Sequence, residues 1–139
     1  MANLLKLSKA TALALHTMVM ISKQDDPLSA APMAKQLLAS EAHVVKVLQQ
    51  LVRAGLLRSK RGPHGGYVLA RSADDITLMT IYNIFEGPMR SDGCLFSQSV
   101  CGELDCILGT LVEDVRTQVF DHFSSTTLTQ AANRQVASK

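Results

Sequence analysis

Apolar residues recur three and four positions apart over much of this chain, the spacing that places side chains on one face of an α-helix. The first such stretch predicts a helix over residues 8–22. Its apolar face comprises Leu7, Ala10, Leu13, Ala14, Thr17, Met18 and Ile21. Further helices are predicted over 33–38, 41–54 and 78–86, and a last long helix over about 105–123.

Residues with strong positional preferences mark the ends of these helices. Pro32 suits the first turn of a helix, where a backbone N–H would have no partner. Ser40 and Thr77 are predicted N-caps, because a hydroxyl can accept a hydrogen bond from the free N–H groups of the next turn. Gly55 is a predicted C-cap. Residues 33–54 are therefore predicted to form a short helix, a turn and a longer capped helix.

Two short apolar runs, 56–59 and 66–70, flank a glycine-rich segment and are predicted strands of a hairpin. The segment 58–70 reads RSKRGPHGGYVLA. Residues 28–31 are either a further short strand or a turn. The predicted fold class is mainly α with a small β-hairpin wing: a winged helix-turn-helix plus a long C-terminal dimerisation helix.

The last predicted helix carries an apolar series that alternates four and three residues apart, the period of a helix–helix interface. The series is Leu108, Val112, Val115 and Val119. The pattern ends after Thr127, so a disordered tail is expected over 128–139.

Charge is unevenly distributed, although the net charge of the 139 residues is only +2. Segment 35–71 carries seven cations and one anion, Glu41, for a net of +6. The rest of the chain carries seven cations and eleven anions, for a net of −4. A basic segment in an otherwise acidic chain is typical of a nucleic-acid-binding protein, and a solvated basic face is the alternative.

No run of about 18 apolar residues is present, so no membrane span is expected. The apolar stretch 12–21 follows Lys6 and Lys9 and is similar to the core of a signal peptide. His16 and Thr17 interrupt it, however, and its apolar positions have helical spacing. We interpret it as an amphipathic core helix of a cytoplasmic protein.

The order of short helix, turn, capped helix and cationic hairpin is that of a winged helix-turn-helix, which places its second helix in the major groove of DNA. A hairpin tip that lies against phosphates needs glycine for close approach and proline to hold the turn. It also needs arginine and lysine, which replace counterions or enter the minor groove. An ordinary hairpin that happens to be basic is the alternative, but the polar free face of the preceding helix favours DNA binding.

Residues 40–57 (SEAHVVKVLQQLVRAGLL) followed by 61–67 (RGPHGGY) resemble the IscR/NsrR/CymR-like group of bacterial winged helix-turn-helix repressors, the Rrf-two (Rrf2) family. The stretches 75–78 (DITL), 86–88 (EGP) and 127–128 (TL) fit the same pattern. The resemblance therefore covers about residues 7–128.

This resemblance implies a homodimer that binds double-stranded DNA and is held together by its long C-terminal helices. It divides the chain into a DNA-binding region (1–89), a cysteine loop that acts as the sensor (90–106), a dimerisation helix (107–127) and the tail (128–139). It also implies DNA contacts from the recognition helix and the wing. The residues are Ser40, Glu41, His43, Lys46, Arg61 and Gly65.

All three cysteines, Cys94, Cys101 and Cys106, lie within thirteen residues. In a cytosolic chain such a group favours metal or redox chemistry over structural disulfides, and three buried cysteines are the alternative. The gaps are too long for paired zinc knuckles, and soft thiolates suit iron–sulfur clusters as well as zinc. The resemblance implies that these three cysteines bind a 2Fe–2S or 4Fe–4S cluster.

The fourth ligand of known relatives does not carry over to this chain. IscR-like members have a histidine at the position of Gly109, and NsrR-like members have an aspartate at the position of Ala12. A carboxylate, a histidine, water or an exogenous thiol remain as alternatives. The candidate side chains are Glu86, Glu103, Asp105, His16 and His122.

The sequence thus predicts a dimeric transcriptional regulator that senses iron–sulfur cluster status, nitric oxide or redox stress through its cysteine loop. A second hypothesis keeps the DNA-binding module but makes the cysteines a thiol–disulfide switch without a cluster. A small thiol-redox enzyme is disfavoured, because the chain has neither a CxxC motif nor a glycine-rich nucleotide loop.

Overall fold

Helix α1 (Lys9–Ser22) is the element around which most of the others pack. The structure, a computed structural model, describes residues 7–89, 100–101 and 105–137. Ser8 caps α1 through its hydroxyl, which accepts a hydrogen bond from the Thr11 N–H at 3.2 Å. Its buried face matches the predicted apolar series at Leu13, Ala14 and Met18. The helix contacts three other helices, which cover residues 41–53, 78–86 and 128–137, and the strand over residues 66–69.

The helix-turn-helix consists of α2 (Ala30–Gln36) and α3 (Glu41–Arg53). Helix α2 begins three residues earlier than predicted, so Pro32 lies within its first turn, where a missing N–H removes no helical hydrogen bond. Helix α3 is confirmed, and Ser40 caps it by accepting a hydrogen bond from the His43 N–H at 3.2 Å. Its buried residues have helical spacing and form one stripe. The residues are Val44, Val47, Leu48 and Leu51.

The wing is an antiparallel hairpin of β1 (Leu57–Lys60) and β2 (Gly66–Leu69). Leu57 pairs with Leu69, and Lys60 pairs with Gly66. Leu28 adds a bridge on the other side of β2, because its N–H donates to the Tyr67 carbonyl at 3.1 Å and its carbonyl accepts from the Tyr67 N–H at 2.9 Å. Of the two alternatives for residues 28–31, the extended one is therefore correct at Leu28.

A short 3₁₀ helix (Ala73–Asp75) leads from the wing to α4 (Leu78–Glu86). Thr77 caps α4 as predicted, with the Thr80 N–H donating to its hydroxyl at 3.2 Å. Gly87 ends the helix with a φ of +75°, a left-handed conformation that glycine adopts without steric cost.

The long C-terminal helix is shorter at its start than predicted. Helix α5 runs over Leu111–Ser125, and residues 107–110 form a turn in which Gly109 has a φ of +62°. That turn interrupts the helix, so Leu108 lies outside it. Helix α5 packs chiefly on α4, where the rings of Tyr82 and Phe123 meet edge to face with centroids 5.7 Å apart.

The expectation of a disordered tail from residue 128 is wrong, because residues Leu128–Ala137 form helix α6. Leu128 is fully buried and Ala132 is also in the core, on the side that contacts α1. The backbone ties the start of α6 to the start of α4: the Leu128 N–H donates to the Ile76 carbonyl at 2.8 Å, and the Leu78 N–H donates to the Thr126 carbonyl at 3.0 Å. Apolar burial and paired backbone groups thus hold this segment in place.

The core lies between α1, α2, α3, the wing and α6, and aliphatic side chains dominate it. Its largest fully buried members are Met18, Met33, Leu48, Leu51, Leu56, Leu57, Ile76, Ile81 and Leu128. Among the residues that the structure describes, no helix has the length and apolar character that a bilayer crossing requires.

Candidate nucleic-acid interface

The start of α3 presents polar side chains to solvent. Ser40, Glu41 and Lys46 are exposed, while His43 is half-buried and its backbone is tied to the Ser40 cap. The opposite face of the helix is buried in the core, so the orientation of this polar face is set by packing. A helix held in this way can enter a major groove with its N-terminal residues first.

The tip of the wing carries Arg61, which is exposed, and Gly65, which is half-buried. A Cβ atom on Gly65 would collide with the carbonyl oxygen of Lys60 across the hairpin. On Gly66, whose φ is +149°, a Cβ would lie 2.6 Å from the carbonyl carbon of Leu28. Both glycines are therefore required by contacts inside the protein. The sequence had indicated a different reason, the close approach of the hairpin tip to phosphates.

The cations of the basic segment are all exposed. They are Lys35, Lys46, Arg53, Arg58, Lys60, Arg61 and Arg71. Within the described ranges none of them forms an ion pair with a carboxylate; Arg71 instead donates to the backbone carbonyl of Asp75 at 3.5 Å. This charge is consequently available to an anionic partner.

The turn between α2 and α3 contains a feature that periodicity did not reveal. Leu38 has a φ of +53° and its side chain is 91% exposed. It lies two residues before the Ser40 cap. The sequence predicts Leu38 as the last residue of a helix over 33–38, whereas the structure ends α2 at Gln36.

Two of the three predicted cysteine ligands fall in the described part of the chain. Cys101 and Cys106 are half-buried free thiols, while Cys94 lies outside the described residues. The Leu108 N–H donates to the Cys106 sulfur at 3.5 Å. No group of three or more metal-binding side chains occurs among the described residues, so the assembly of the three cysteines stays a prediction.

Several candidates for a fourth ligand already have partners. His16 contacts the Ala12 carbonyl through Nδ1 at 2.7 Å, and His122 contacts Arg134 through Nε2 at 3.2 Å. Asp105 is exposed beside Cys106, and Glu103 lies outside the described residues.

Glu86 connects the end of α4, where the cysteine loop begins, to the start of α1. Its carboxylate accepts hydrogen bonds from the Ser8 N–H at 2.8 Å and the Thr11 hydroxyl at 2.5 Å. Burial raises the pKa of nearby Tyr82 above its ordinary value of 10.0, and the negative charge of Glu86 raises it further. Helix α4 and the N-terminus of α1 are therefore coupled at the entrance to the loop.

Comparison with protein families gives one match over almost the whole chain. Residues 7–134 match the Rrf2 model, described as "Iron-dependent Transcriptional regulator". This range includes α1 through most of α6 as well as the cysteine loop.

Individual relatives and solved structures point the same way. A putative HTH-type transcriptional regulator of Aquifex aeolicus is 31% identical over 93 residues, which cover 65% of each chain. The structure of CymR, the global cysteine regulator of B. subtilis, is 30% identical, with a TM-score of 0.77 over 94% of this chain and 98% of that one. IscR of T. potens is 26% identical, with a TM-score of 0.73 over 97% and 92%.

These similarities confirm the mainly helical fold with a two-stranded wing. They also agree with the expectation of a regulator rather than an enzyme, since the relatives are transcriptional regulators. The matched region spans slightly less than two thirds of the length of the A. aeolicus relative.

Proposed function

Since this chain belongs to the Rrf2 family of transcriptional regulators, we propose that it binds double-stranded DNA as a homodimeric winged helix-turn-helix regulator in the cytoplasm. Helix α3 enters the major groove, and the wing follows the phosphate backbone or the minor groove. One observation carries this proposal. An N-capped helix with a polar face adjoins a wing, and every cation of the segment that contains them is exposed and has no carboxylate partner in the described part of the chain.

Charge supplies the affinity in this proposal, and the capped helix supplies orientation. Lysine and arginine side chains that neutralise phosphates release condensed counterions, so binding weakens as salt concentration rises. The predicted contact residues divide accordingly. Arg61 binds phosphate or the minor groove, while Ser40, Glu41, His43 and Lys46 face base edges or the adjacent backbone. Gly65 allows the tip its tight turn.

We expect Arg61→Ala to weaken binding to every duplex by a similar factor, because a phosphate contact carries no sequence information. The slope of log K against log salt should become shallower by about one per protomer. Titration of a labelled duplex at several salt concentrations measures both quantities.

Lys9→Ala is the matched control, because Lys9 is exposed on α1 outside the basic segment. It should leave both affinity and slope unchanged. A wild-type chain that prefers no duplex over an uncharged competitor at low salt would refute the DNA-binding proposal itself. An unchanged slope for Arg61→Ala alone would refute the role of that residue.

For the sensor, we propose that Cys94, Cys101 and Cys106 bind an iron–sulfur cluster. The donor chemistry fits, because cluster ligands are cysteine sulfurs that commonly accept hydrogen bonds from the backbone, as the Cys106 sulfur does from the Leu108 N–H. Such a cluster would make the order of the loop depend on iron, nitric oxide or oxidants. The chain's own contribution is the coupling of the loop to α4, α1 and α5, through which an ordered loop changes the separation of the two recognition helices in a dimer.

A thiol switch is the second candidate. It is favoured by the engagement of Glu86, His16 and His122 in other hydrogen bonds, which leaves fewer side chains for a fourth ligand position. In this version, a two-electron oxidant accepts two electrons and two protons, and a disulfide forms between two of the three thiols or between one of them and a small thiol.

Anaerobic expression followed by absorbance spectroscopy with iron and sulfide counts separates the two versions. A coloured protein with stoichiometric iron and sulfide, lost in Cys106→Ala, supports the cluster. A colourless, iron-free protein after reconstitution refutes it. Mass spectrometry after mild oxidation then shows whether a disulfide forms.

A further inference from the structure

The turn that ends α2 is a Schellman motif with a leucine at the position usually held by glycine. The Ala39 N–H donates to the Ala34 carbonyl at 3.0 Å, and the Leu38 N–H donates to the Lys35 carbonyl at 3.3 Å. These two bonds place Leu38 at the first residue beyond the cap, in the left-handed conformation with a φ of +53°.

Leucine is a costly choice at this position. A side chain with a Cβ atom is disfavoured in the left-handed region, which glycine adopts without clash and asparagine tolerates. The side chain of Leu38 does not recover that cost by burial, because it is 91% exposed. Its neighbour Leu37 is half-buried and packs against the core instead.

A single exposed leucine is ordinary on a protein surface. An exposed leucine that also holds a left-handed backbone is not, since folding would be more favourable with glycine there. Residues in such conformations cluster at functional sites. We therefore expect Leu38 to make a contact with a binding partner outside the isolated protomer.

Its position indicates which partner. Leu38 precedes the cap of α3 by two residues, and a recognition helix approaches the major groove with its N-terminal end first. The exposed residues in the first turns of α3 are Ser40, Glu41 and Lys46, which are polar, and Ala42. The one apolar group on the major-groove edge of the four bases is the C5 methyl of thymine.

We propose that Leu38 is a specificity-determining residue, which packs its side chain against the C5 methyl of a thymine at the edge of the major groove. This rests on the proposed DNA-binding function and adds to it a residue outside α3 that distinguishes thymine from the other bases. The contact removes apolar surface from water on both partners, which offsets the cost of the turn only in the complex.

The experiment begins with a duplex selected by the wild-type protein from a random library. Each thymine is then replaced singly by deoxyuridine, which removes the methyl group and changes nothing else on the base. In each half-site, we expect one of these single replacements to weaken wild-type binding by about four-fold, the effect of one buried methyl-sized group. The variant Leu38→Gly loses the contact in both half-sites, so it should bind the unmodified duplex about sixteen-fold more weakly and be insensitive to either replacement.

Two further measurements keep the result interpretable. Leu38→Met retains an apolar side chain and should retain the sensitivity to deoxyuridine. Leu38→Gly should raise the melting temperature by about 3–5 °C, because it relieves the left-handed leucine. Weaker binding by a more stable protein cannot be attributed to misfolding.

Three outcomes would overturn the inference while leaving the proposed function in place. They are an unchanged affinity of Leu38→Gly, an equal loss on all duplexes whether or not they carry the methyl group, and sensitivity to deoxyuridine that survives in Leu38→Gly. Failure of the wild-type chain to select any duplex would instead refute DNA binding as a whole.

Discussion

Gly66 joins the wing to the body of the protein. Its φ of +149° and its approach to the backbone of Leu28 both exclude a side chain. Gly62 at the tip also has a left-handed φ, +107°, but a Cβ there would meet nothing within 4 Å. Gly62 is therefore required only by its backbone conformation. Gly66 is required both by its conformation and by its close packing on Leu28.

We expect Gly66→Ala to lower the free energy of unfolding by about 2–4 kcal/mol, because the strand and Leu28 must separate to admit the methyl group. Gly62→Ala should cost only about 1 kcal/mol, the penalty of the left-handed conformation alone. Urea denaturation of both variants measures the difference. Equal losses would mean that the Leu28 contact adds nothing.

At the scale of elements, α6 shows how a short polar-looking segment becomes part of a fold. Thr127 and Gln130 form a reciprocal capping box: the Gln130 N–H donates to the Thr127 hydroxyl at 3.2 Å, and the Thr127 N–H donates to the Gln130 side-chain oxygen at 2.9 Å. Thr129 donates to Asp74 at 2.6 Å, and Lys23 donates to Gln135 at 2.9 Å. Helix α6 thus packs against α1 and completes the core on that side.

Leu128→Ala should lower the free energy of unfolding by about 2–5 kcal/mol, because it removes a fully buried side chain. Asn133→Ala, at an exposed position of the same helix, should change it by no more than about 0.5 kcal/mol. Chemical denaturation distinguishes the two. If truncation after residue 127 left the unfolding transition unchanged, α6 would not be part of the cooperative fold.

On the scale of the whole molecule, α5 is incompletely covered by the described residues of its own chain. Val112 is its one buried residue in the structure, and Val115 and Val119 on the same face are only half-buried. Leu111 is 52% exposed and Ile107, just before the helix, is 90% exposed. An amphipathic helix with this much apolar surface in water favours association, which supports the proposed homodimer.

Val115→Glu should shift the chain from dimer to monomer, because it places a charge in the proposed interface. Thr117→Glu adds the same charge two residues later, about 200° further around the helix, and should leave the dimer intact. Sedimentation equilibrium measures both. A wild-type chain that is monomeric at the concentrations where it binds DNA would contradict the dimer proposal, while equal dissociation by both variants would place the interface elsewhere.

The sequence was sufficient to predict those elements in which the hydrophobic pattern agrees with the residues that mark the ends. The cap at Ser40, the buried stripe of α3 and the glycine-rich hairpin between two short strands all follow from residue chemistry within one or two turns. The wing and recognition helix could therefore be placed from sequence, and so could the segment of excess positive charge.

Other features depended on contacts between distant segments. Helix α6 is short and largely polar, so its stability comes from burying Leu128 against the core rather than from helical periodicity. Gly66 must be glycine because the pairing of Leu28 with Tyr67 brings the backbone of Leu28 too close to admit a side chain.

The sequence by itself thus determined part of the local structure of this protein: helices α1, α3 and α4, the two strands of the wing, the caps at Ser40 and Thr77, and the segment where positive charge accumulates. Only the tertiary structure decided that the cations lack carboxylate partners among the described residues, that Leu38 is exposed in a left-handed turn, and that residues 128–137 close the core. The physical reason is the distance along the chain between the residues that interact. Caps, turns and periodicity are set by neighbours in the chain, whereas burial and ion pairing depend on segments that folding brings together.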